Sequence, residues 1–518
     1  MAEVKSESPA KEIAAGYATE GKAVELGAVV VDGQVDPQAA VRIPLAMVNR
    51  HGLVAGATGT GKTKTLQLIA EQLSGNGVPV VLADMKGDLS GLAQPGQSND
   101  KITQRAADTG DDWQGSGFPV QFLSLGTSGG AVPVRATISG FGPILLSKVL
   151  GLNDTQESTL GLIFHWADTK GLPLLDTKDL RAVITHLTSD EGKADLQGIG
   201  GVSAQTAGVI LRELSNLDAQ GGEEFFGEPE LDIQDLIRQV DGKGVLTLVE
   251  LNNLAAKPAL FSTFLMWLLA ELFEELPEEG DLDAPKLVFV FDEAHLLFHD
   301  ASKAFLDRIE QTVKLIRSKG VGVFFCTQLP TDIPSAVLSQ LGARVQHALR
   351  AFTPEDQQAL AKTVKTYPTT PHYELDKALT SLGIGEAIVT VLSEKGAPTP
   401  VAWTRLRAPR SLMDTIGDDA IRQAAASSEL HGKYAQTVDR ESAYEMMAAK
   451  VAPPANADAG TADAGSGAQQ RQEEHHREEP GFLEKVLGNS AVKSFLRSAA
   501  SALGREVTRG MFGNRRRR

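Results

Sequence analysis

The stretch from residue 56 to residue 63 constrains this chain more than any other part of its sequence. It reads Gly-Ala-Thr-Gly-Thr-Gly-Lys-Thr and fits the pattern G-x4-G-K-[ST]. The apolar run HGLVAG leads into it, and Leu66, Ile69 and Leu73 follow it with helical spacing. A strand, a glycine-rich turn and a helix in this order let backbone N–H groups and the helix N-terminus surround a phosphate. We therefore expect a nucleotide-binding unit here.

Each residue type of this loop has a task in phosphate binding. The glycines let the backbone turn inward, Lys62 reaches the β- and γ-phosphates, and the hydroxyl of Thr63 binds Mg²⁺. ATP and Mg²⁺ are therefore the expected cofactors. The residues expected to contact the nucleotide are Gly56, Ala57, Thr58, Gly59, Thr60, Gly61, Lys62, Thr63 and Lys64.

An acidic pair completes the expected site. The apolar run KLVFVF is typical of a strand buried on both faces of a sheet, and it ends in Asp292 and Glu293. Carboxylates at the carboxyl end of such a strand face the crevice where open α/β sheets bind ligands. We expect Asp292 to hold Mg²⁺ and Glu293 to polarise the attacking water as general base. Such a pair can also be a helix N-cap, but the phosphate loop in the same chain favours the catalytic interpretation.

The letters Asp-Glu-Ala-His, which end at His295, also spell the box of one large helicase superfamily. Neither a Ser-Ala-Thr element nor a second RecA-like domain with its own arginine motif is found, so we expect His295 to be a helix residue behind the site. Two further strand ends are polar. Gln328 is either a sensor of the γ-phosphate or lytic water, or a simple strand-end residue. Asp84 either contacts the water network or caps the next turn.

These patterns predict an α/β fold with a RecA-like P-loop NTPase core and a mostly parallel central sheet. Helices are expected at Phe261–Leu276 and Phe305–Lys319, and a disordered linker is expected to lead to a C-terminal amphipathic helix. The predicted units are a short β lead at 1–48, the first part of the core at 49–141, an all-α insertion at 142–240, the second part of the core at 241–410, a helical then low-complexity linker at 411–480, and a basic amphipathic helix at 481–518.

Charge and cysteine content exclude several classes of protein. The formal net charge of −16 argues against a surface that coats nucleic acid non-specifically. The one cysteine, Cys326, cannot form an internal disulfide, and a buried thiol on a strand is expected. The histidines are scattered, so no histidine metal site is expected. No signal-peptide core or membrane-spanning stretch is found, and a cytoplasmic location is expected.

Taken in order, the motifs resemble those of the HerA/FtsK superfamily of ring ATPases. They are RHGLVAGATGTGKT from Arg50, DMKGD from Asp84, FDEAH around Asp292, IRSKGVG around Arg317, and TQ at 327–328. Stretches such as GFGPILLSKVLGLNDTQ and LGARVQHALRAFTPEDQ are most similar to bacterial HerA-like proteins of the YjgR type. The resemblance spans roughly residues 20–410.

The resemblance implies a homohexamer with ATP sites between subunits, and movement along double-stranded DNA. Arg50 is similar in position to an arginine that acts on a neighbouring subunit's nucleotide, and Arg317 to one that completes the site just before the sensor strand. Such an arginine contributes ~10³–10⁵ in rate. Arg344 and Arg350 are alternatives. The chain departs from HerA at its N-terminus, where the larger β-barrel that helps build the ring and dock a nuclease is reduced to the short lead.

Two classes of function remain open at this point. The first is a ring-shaped, ATP-driven DNA translocase or helicase, which the motif set and the basic residues Lys314, Arg317 and Lys319 favour. The second is an ATP-dependent switch or scaffold that acts on a protein or an anionic membrane through the C-terminal helix. DNA-stimulated hydrolysis would favour the motor. Salt-sensitive liposome binding that depends on the tail would favour the switch.

Overall fold

A twelve-stranded sheet forms the centre of the computed structural model, which describes residues 8–84, 86–126, 130–196, 200–250, 258–280, 282–299 and 301–451. The strands are β1 (Ala23–Val31), β2 (Gln34–Pro44), β3 (Gly52–Ala55), β4 (Val80–Asp84), β5 (Val120–Leu125), β6 (Val132–Val134), β7 (Gln239–Val240), β8 (Lys243–Gly244), β9 (Leu246–Glu250), β10 (Leu287–Phe291), β11 (Val321–Thr327), β12 (Ala343–Gln346), β13 (Glu386–Thr390) and β14 (Ala402–Leu406). Across the sheet their order is β2-β1-β14-β13-β12-β3-β11-β10-β4-β9-β5-β6, while β7 and β8 form a separate ribbon.

Most of this sheet is parallel. Every adjacent pair is parallel from β12 through β3, β11, β10, β4, β9 and β5 to β6. The other edge is antiparallel, because β13, β14, β1 and β2 follow β12 in alternating directions. The predicted α/β fold with a mostly parallel sheet is therefore confirmed. The segment predicted as a short β lead supplies β1 and β2 to the antiparallel edge.

Helices cover both faces of the sheet. They are α1 (Pro9–Ala15), α2 (Lys62–Gly75), α3 (Asp100–Thr109), α4 (Ile138–Val149), α5 (Asp154–Thr169), α6 (Thr177–Thr188), α7 (Asp190–Asp195), α8 (Ala204–Ala219), α9 (Pro258–Glu275), α10 (His295–Phe298), α11 (Lys303–Leu315), α12 (Ser335–Leu338), α13 (Pro354–Val364), α14 (Leu375–Ser381), α15 (Asp418–Ala426), α16 (Glu429–Tyr434) and α17 (Ala443–Val451). The predicted helix at Phe305–Lys319 ends early, because residues 316–319 tighten into a 3-10 turn.

The two faces carry separate cores, which explains the uninterrupted apolar runs in the sequence. Phe289, Phe291 and Phe325 pack against α9 and the helices between β6 and β7. Val290 and Cys326 point the other way, into the core that contains α2. Successive side chains of a strand point to opposite faces of the sheet, and here the side chains on both faces are buried. The thiol of Cys326 is buried and free, as expected.

Helices α4 to α8 form the helical part inserted between sheet strands. Two of them begin with reciprocal caps, in which Asn153 and Gln156 pair at the start of α5 and Asp176 and Asp179 at the start of α6. These caps satisfy the first backbone N–H groups and so mark where each helix starts. The all-α insertion is thus present, while the exact domain boundaries remain predictions.

Helix α9 is strongly apolar, and its side chains from Phe264 to Leu269 are buried in the core. None of the helices among the described residues is both long and apolar enough to cross a bilayer. The predicted low-complexity linker beyond residue 451 and the C-terminal helix at 481–518 lie outside the described residues.

Candidate active site

The predicted site residues meet at the carboxyl edge of the parallel sheet. The phosphate loop follows β3, Gln328 follows β11, the acidic pair follows β10, and Asp84 ends β4. These four strands are neighbours in the order β3, β11, β10, β4. Since parallel strands end at the same edge, segments far apart in the sequence become adjacent there.

The backbone of the phosphate loop requires its glycines. Gly56, Gly59 and Gly61 have φ values of 150°, 80° and 111°, which L side chains rarely adopt. A Cβ atom at Gly56 would also lie 2.5 Å from the Cβ atom of His347. Helix α2 starts directly after Gly61, and no side chain caps its first turn. The N–H groups of that turn are therefore available to an anion.

The side chain of Lys62 folds back across its own loop. Its ammonium donates to the carbonyl oxygens of Gly56 at 2.7 Å and Ala57 at 3.1 Å. A phosphate oxygen would be a stronger, charge-assisted acceptor than either carbonyl. Lys64 is oriented differently, because its ammonium donates to Oε1 of Gln67 at 3.1 Å. Lys64 can therefore offer a bound phosphate its backbone N–H, while its ammonium is bonded to Gln67.

Asp292 is suited to hold a cation. It is 9% exposed, and burial, followed by the charge of Glu293, raises the pKa of its carboxyl. A buried carboxylate beside a second one is costly unless a positive charge is near. Mg²⁺ prefers hard oxygen ligands, which Asp292 and the hydroxyl of Thr63 both offer. The residues present therefore fit this ion.

The phosphate loop and the acidic pair lie on either side of the end of β11. Burial raises the pKa of the Cys326 thiol, and so do the charges of Asp292 and Glu293, whereas Lys62 lowers it. Strand β11 lies between β3 and β10, and its end bonds to the segments that follow both: the carbonyl of Thr327 accepts the N–H of Gly56 at 3.2 Å, and that of Cys326 accepts the N–H of Ala294 at 2.8 Å. Lys62, Asp292 and Glu293 therefore share one site within a single subunit.

Glu293 has an unusual backbone and two basic neighbours. Its φ of 48° is in the left-handed region, which is sparsely used by residues other than glycine and is common at functional sites. Its Oε1 lies 3.1 Å from Nζ of Lys86, and its Oε2 lies 3.5 Å from Nδ1 of His295. His295 is the first residue of α10, a helix residue behind the site as expected. Sequence reasoning alone assigns Lys86 no role.

Asp84 caps the loop that carries Lys86. Its carboxylate accepts the backbone N–H groups of Lys86 at 3.2 Å, Gly87 at 2.7 Å and Leu89 at 3.0 Å. Burial raises the pKa of Asp84, and these donors offset the effect only in part. Of the two roles open to this residue, the geometry fits the capping role.

A buried histidine packs beneath the phosphate loop. Nε2 of His347 lies 2.9 Å from Oγ1 of Thr65 in the first turns of α2. Burial, followed by the charge of Lys62, lowers the pKa of His347 to about 4, so the ring is neutral at physiological pH. In the sequence His347 is one of several scattered histidines. Only the pairing of β12 with β3 places it under the loop.

Two predicted residues flank the phosphate loop. Gln328 is exposed at the end of β11, and the carbonyl of the preceding Thr327 accepts the N–H of Gly56 at 3.2 Å. Arg350 lies on the other side, where its Nη2 donates to the carbonyl of Thr58 at 3.3 Å. The sensor role of Gln328 stays a prediction.

Arg50 and Arg317 lie at the opposite, amino edge of the sheet, before β3 and before β11. Together with Lys314 and Arg344 they line a cavity of about 450 Å³. At ~3.3 Å per residue, the seven residues of β11 span roughly 20 Å between the two edges. Neither arginine can therefore touch a nucleotide bound at its own subunit's phosphate loop.

His51 connects this basic edge to the core. Its Nδ1 accepts the N–H of Val323 at 3.0 Å, so Nε2 carries the proton and donates to the carbonyl of Val313 at 2.9 Å. Burial, with the nearby charges of Arg317 and Arg50, lowers the pKa of His51 to about 4. A neutral ring thus ties the segment of Arg50 to α11 and β11.

The chain is similar to one protein family and to several solved structures. A family model described as helicase HerA-like C-terminal matches residues 30–518. The plasmid coupling protein TrwB in complex with the GTP analogue GDPNP has a TM-score of 0.51 at 15% identity, over 79% of this chain and 94% of that one. TrwB with the ATP analogue ADPNP has a TM-score of 0.50 at 15% identity, over 78% of this chain and 95% of that one. TrwB with ADP and Mg²⁺ has a TM-score of 0.50 at 16% identity, over 77% of this chain and 94% of that one. At such identities the likeness establishes the fold. No curated protein matches the chain.

Proposed function

Because this chain belongs to the helicase HerA-like C-terminal family, we propose that it binds ATP with Mg²⁺ at the carboxyl edge of its sheet and hydrolyses it. The observation that carries the proposal is that Lys62 follows β3 and that Asp292 and Glu293 follow β10, on the two sides of the end of β11. A phosphate-binding lysine, a candidate metal ligand and a candidate base at one strand end are the parts that phosphoryl transfer to water needs. TrwB, which shares the fold, is described with ADP and Mg²⁺.

Each residue has a defined part in the proposed reaction. Lys62 and the N–H groups of the loop hold the β- and γ-phosphates, while Thr63 and Asp292 hold Mg²⁺, which would neutralise phosphate charge. Glu293 accepts a proton from water as the water oxygen bonds to the γ-phosphorus. The bond from that phosphorus to the bridging oxygen breaks, and ADP and phosphate leave. Gln328 contacts the water or the γ-phosphate.

We further propose assembly into a ring, a homohexamer, which the family resemblance implies and which the position of the arginines supports. Arg50 and Arg317 are about a strand's length from their own loop, in a basic cavity with Lys314 and Arg344. If a neighbouring subunit presents its nucleotide to this edge, the arginines stabilise the charge that develops on the transferred phosphoryl group. Hydrolysis would then depend on assembly.

The motion that this hydrolysis drives is proposed to be translocation along double-stranded DNA. Family membership supports it, as does the shared fold of TrwB, described as a plasmid coupling protein. With a net charge of −16, contacts to DNA have to be local to the ring. The alternative is a switch that acts on a protein or an anionic membrane through the basic segment 481–518.

Steady-state ATP hydrolysis, measured with and without long double-stranded DNA, distinguishes the DNA translocase from the switch. The blank is Glu293→Gln, which removes the base and leaves the phosphate loop intact. Turnover that depends on Glu293 and rises with DNA is the expected result. Turnover that depends on Glu293 but ignores DNA would move the proposal to the switch. Turnover that survives in Glu293→Gln would refute the assignment of the base.

A further inference from the structure

The loop after β4 brings a lysine to the proposed catalytic carboxylate. Three hydrogen bonds to Asp84 hold this loop, and one of them is donated by the N–H of Lys86 itself. From that fixed start the side chain reaches across to the end of β10, the strand next to β4. Its ammonium donates to Oε1 of Glu293 at 3.1 Å.

This ion pair differs from an ordinary surface pair because its two members differ in exposure. The side chain of Lys86 is 53% exposed, whereas that of Glu293 is 17% exposed. Burial tends to lower the pKa of Lys86, but its hydrogen bond to Glu293 and the charges of Glu293 and Asp292 outweigh burial and raise it. The ammonium therefore keeps its proton, and it is a donor rather than a base.

The contact also leaves Glu293 little freedom. Oε1 faces Lys86, and Oε2 faces His295 at 3.5 Å. Its backbone has a φ of 48°, and among the described residues only Oε1 of its carboxylate accepts a hydrogen bond, the one from Lys86. An ammonium has three donors, so Lys86 can keep Glu293 and still offer a proton to a phosphate oxygen.

We propose that Lys86 is a positioning residue of the hydrolytic step, one that holds the Glu293 carboxylate at the attacking water and bridges that carboxylate to a γ-phosphate oxygen as charge develops there in the transition state. The inference rests on the proposed function, because it takes Glu293 as the base. Lys86 keeps its proton throughout, so water still gives its proton to Glu293.

The test compares Lys86→Ala and Lys86→Arg in the full chain, with Lys101→Ala on the exposed face of α3 as the matched control. Loss of a charge-assisted hydrogen bond that acts mainly in the transition state should lower kcat of Lys86→Ala by ~10- to 100-fold. The KM and the directly measured Kd for ATP should stay within about twofold. Lys86→Arg keeps a charged donor and should recover most of kcat, and Lys101→Ala should equal the wild type.

The outcomes that overturn this role are distinct from those that overturn the ATPase. A kcat of Lys86→Ala within twofold of the wild type, or above it, refutes positioning. So does a rise in KM at constant kcat, which would make Lys86 a plain phosphate ligand, and so does a Lys86→Arg variant as slow as Lys86→Ala. An inactive wild type, or a fully active Glu293→Gln measured in the same series, would instead refute the proposed function.

Discussion

Replacing Arg317 by alanine tests whether the basic edge of one subunit serves the nucleotide of the next. The variant keeps its phosphate loop, since Arg317 lies before β11 and the loop lies beyond the other end of that strand. It should bind ATP normally and hydrolyse it ~10³- to 10⁵-fold more slowly, the range for loss of such an arginine. Arg212→Ala, on the exposed side of α8, is the matched control.

Mixing Arg317→Ala subunits with Lys62→Ala subunits tests whether the arginine acts across an interface. Lys62→Ala subunits have no working loop but keep Arg317, so each variant lacks what the other supplies. In rings formed at random from equal amounts, about one quarter of the interfaces join an intact loop to an intact arginine, if each site uses one loop and the next subunit's edge. Turnover per subunit should therefore recover to about one quarter of the wild type.

The assay is phosphate release over a series of mixing ratios, after subunit exchange has been verified with two fluorescent labels. Recovery should be greatest at equal amounts and absent for either variant alone. A flat, inactive series with exchange verified would refute the reasoning, because an arginine that works within its own subunit cannot be rescued from outside.

Three further outcomes are expected. Glu293→Gln should bind ATP with unchanged affinity in calorimetry, while turnover falls by at least ~100-fold; equal losses in binding and turnover would contradict a role as base. Gly56→Ala should unfold at lower temperature and bind ATP poorly. Its new Cβ atom would lie 2.5 Å from His347, and a φ of 150° costs an alanine ~1–3 kcal/mol in strain. The control Gly75→Ala, with open space around it, should be neutral or slightly stabilising. Burial, with acidic neighbours, raises the pKa of Glu250 from 4.5 to about 8; because the folded pKa is the higher one, wild-type stability should fall as pH rises from about 5 to 8, and Glu250→Gln should show a shallower fall in thermal melts.

The functional edge could be predicted from sequence because its residues directly follow recognisable elements. The loop at residues 56–63 follows an apolar strand and opens a helix, and Asp292 and Glu293 end another apolar strand. The rule that parallel strands end at one edge then brings them together without any knowledge of strand order. Local sequence patterns and this general rule of parallel sheets were therefore enough to predict where these residues lie.

Contacts between separate loops were not accessible in this way. Lys86 and Glu293 are 207 residues apart, and they meet only because β4 lies beside β10. His347 and His51 each look like isolated histidines, since their partners lie on other strands. The N-terminal strands are a further case, because β1 pairs with β14 from near residue 405. No local pattern records which strands are neighbours.

The place of β3 in the sheet has a consequence for synthesis of the chain. Its two neighbours, β11 and β12, both come late, and about 265 residues separate the end of β3 from the start of β11. At ~5–20 residues per second, a ribosome needs roughly 13–50 s to make that stretch. For this time the strand before the phosphate loop lacks both of the neighbours that hold it in the sheet. If the loop binds ATP as proposed, binding therefore begins only after most of the polypeptide has emerged, and ATP does not guide the folding of the first half.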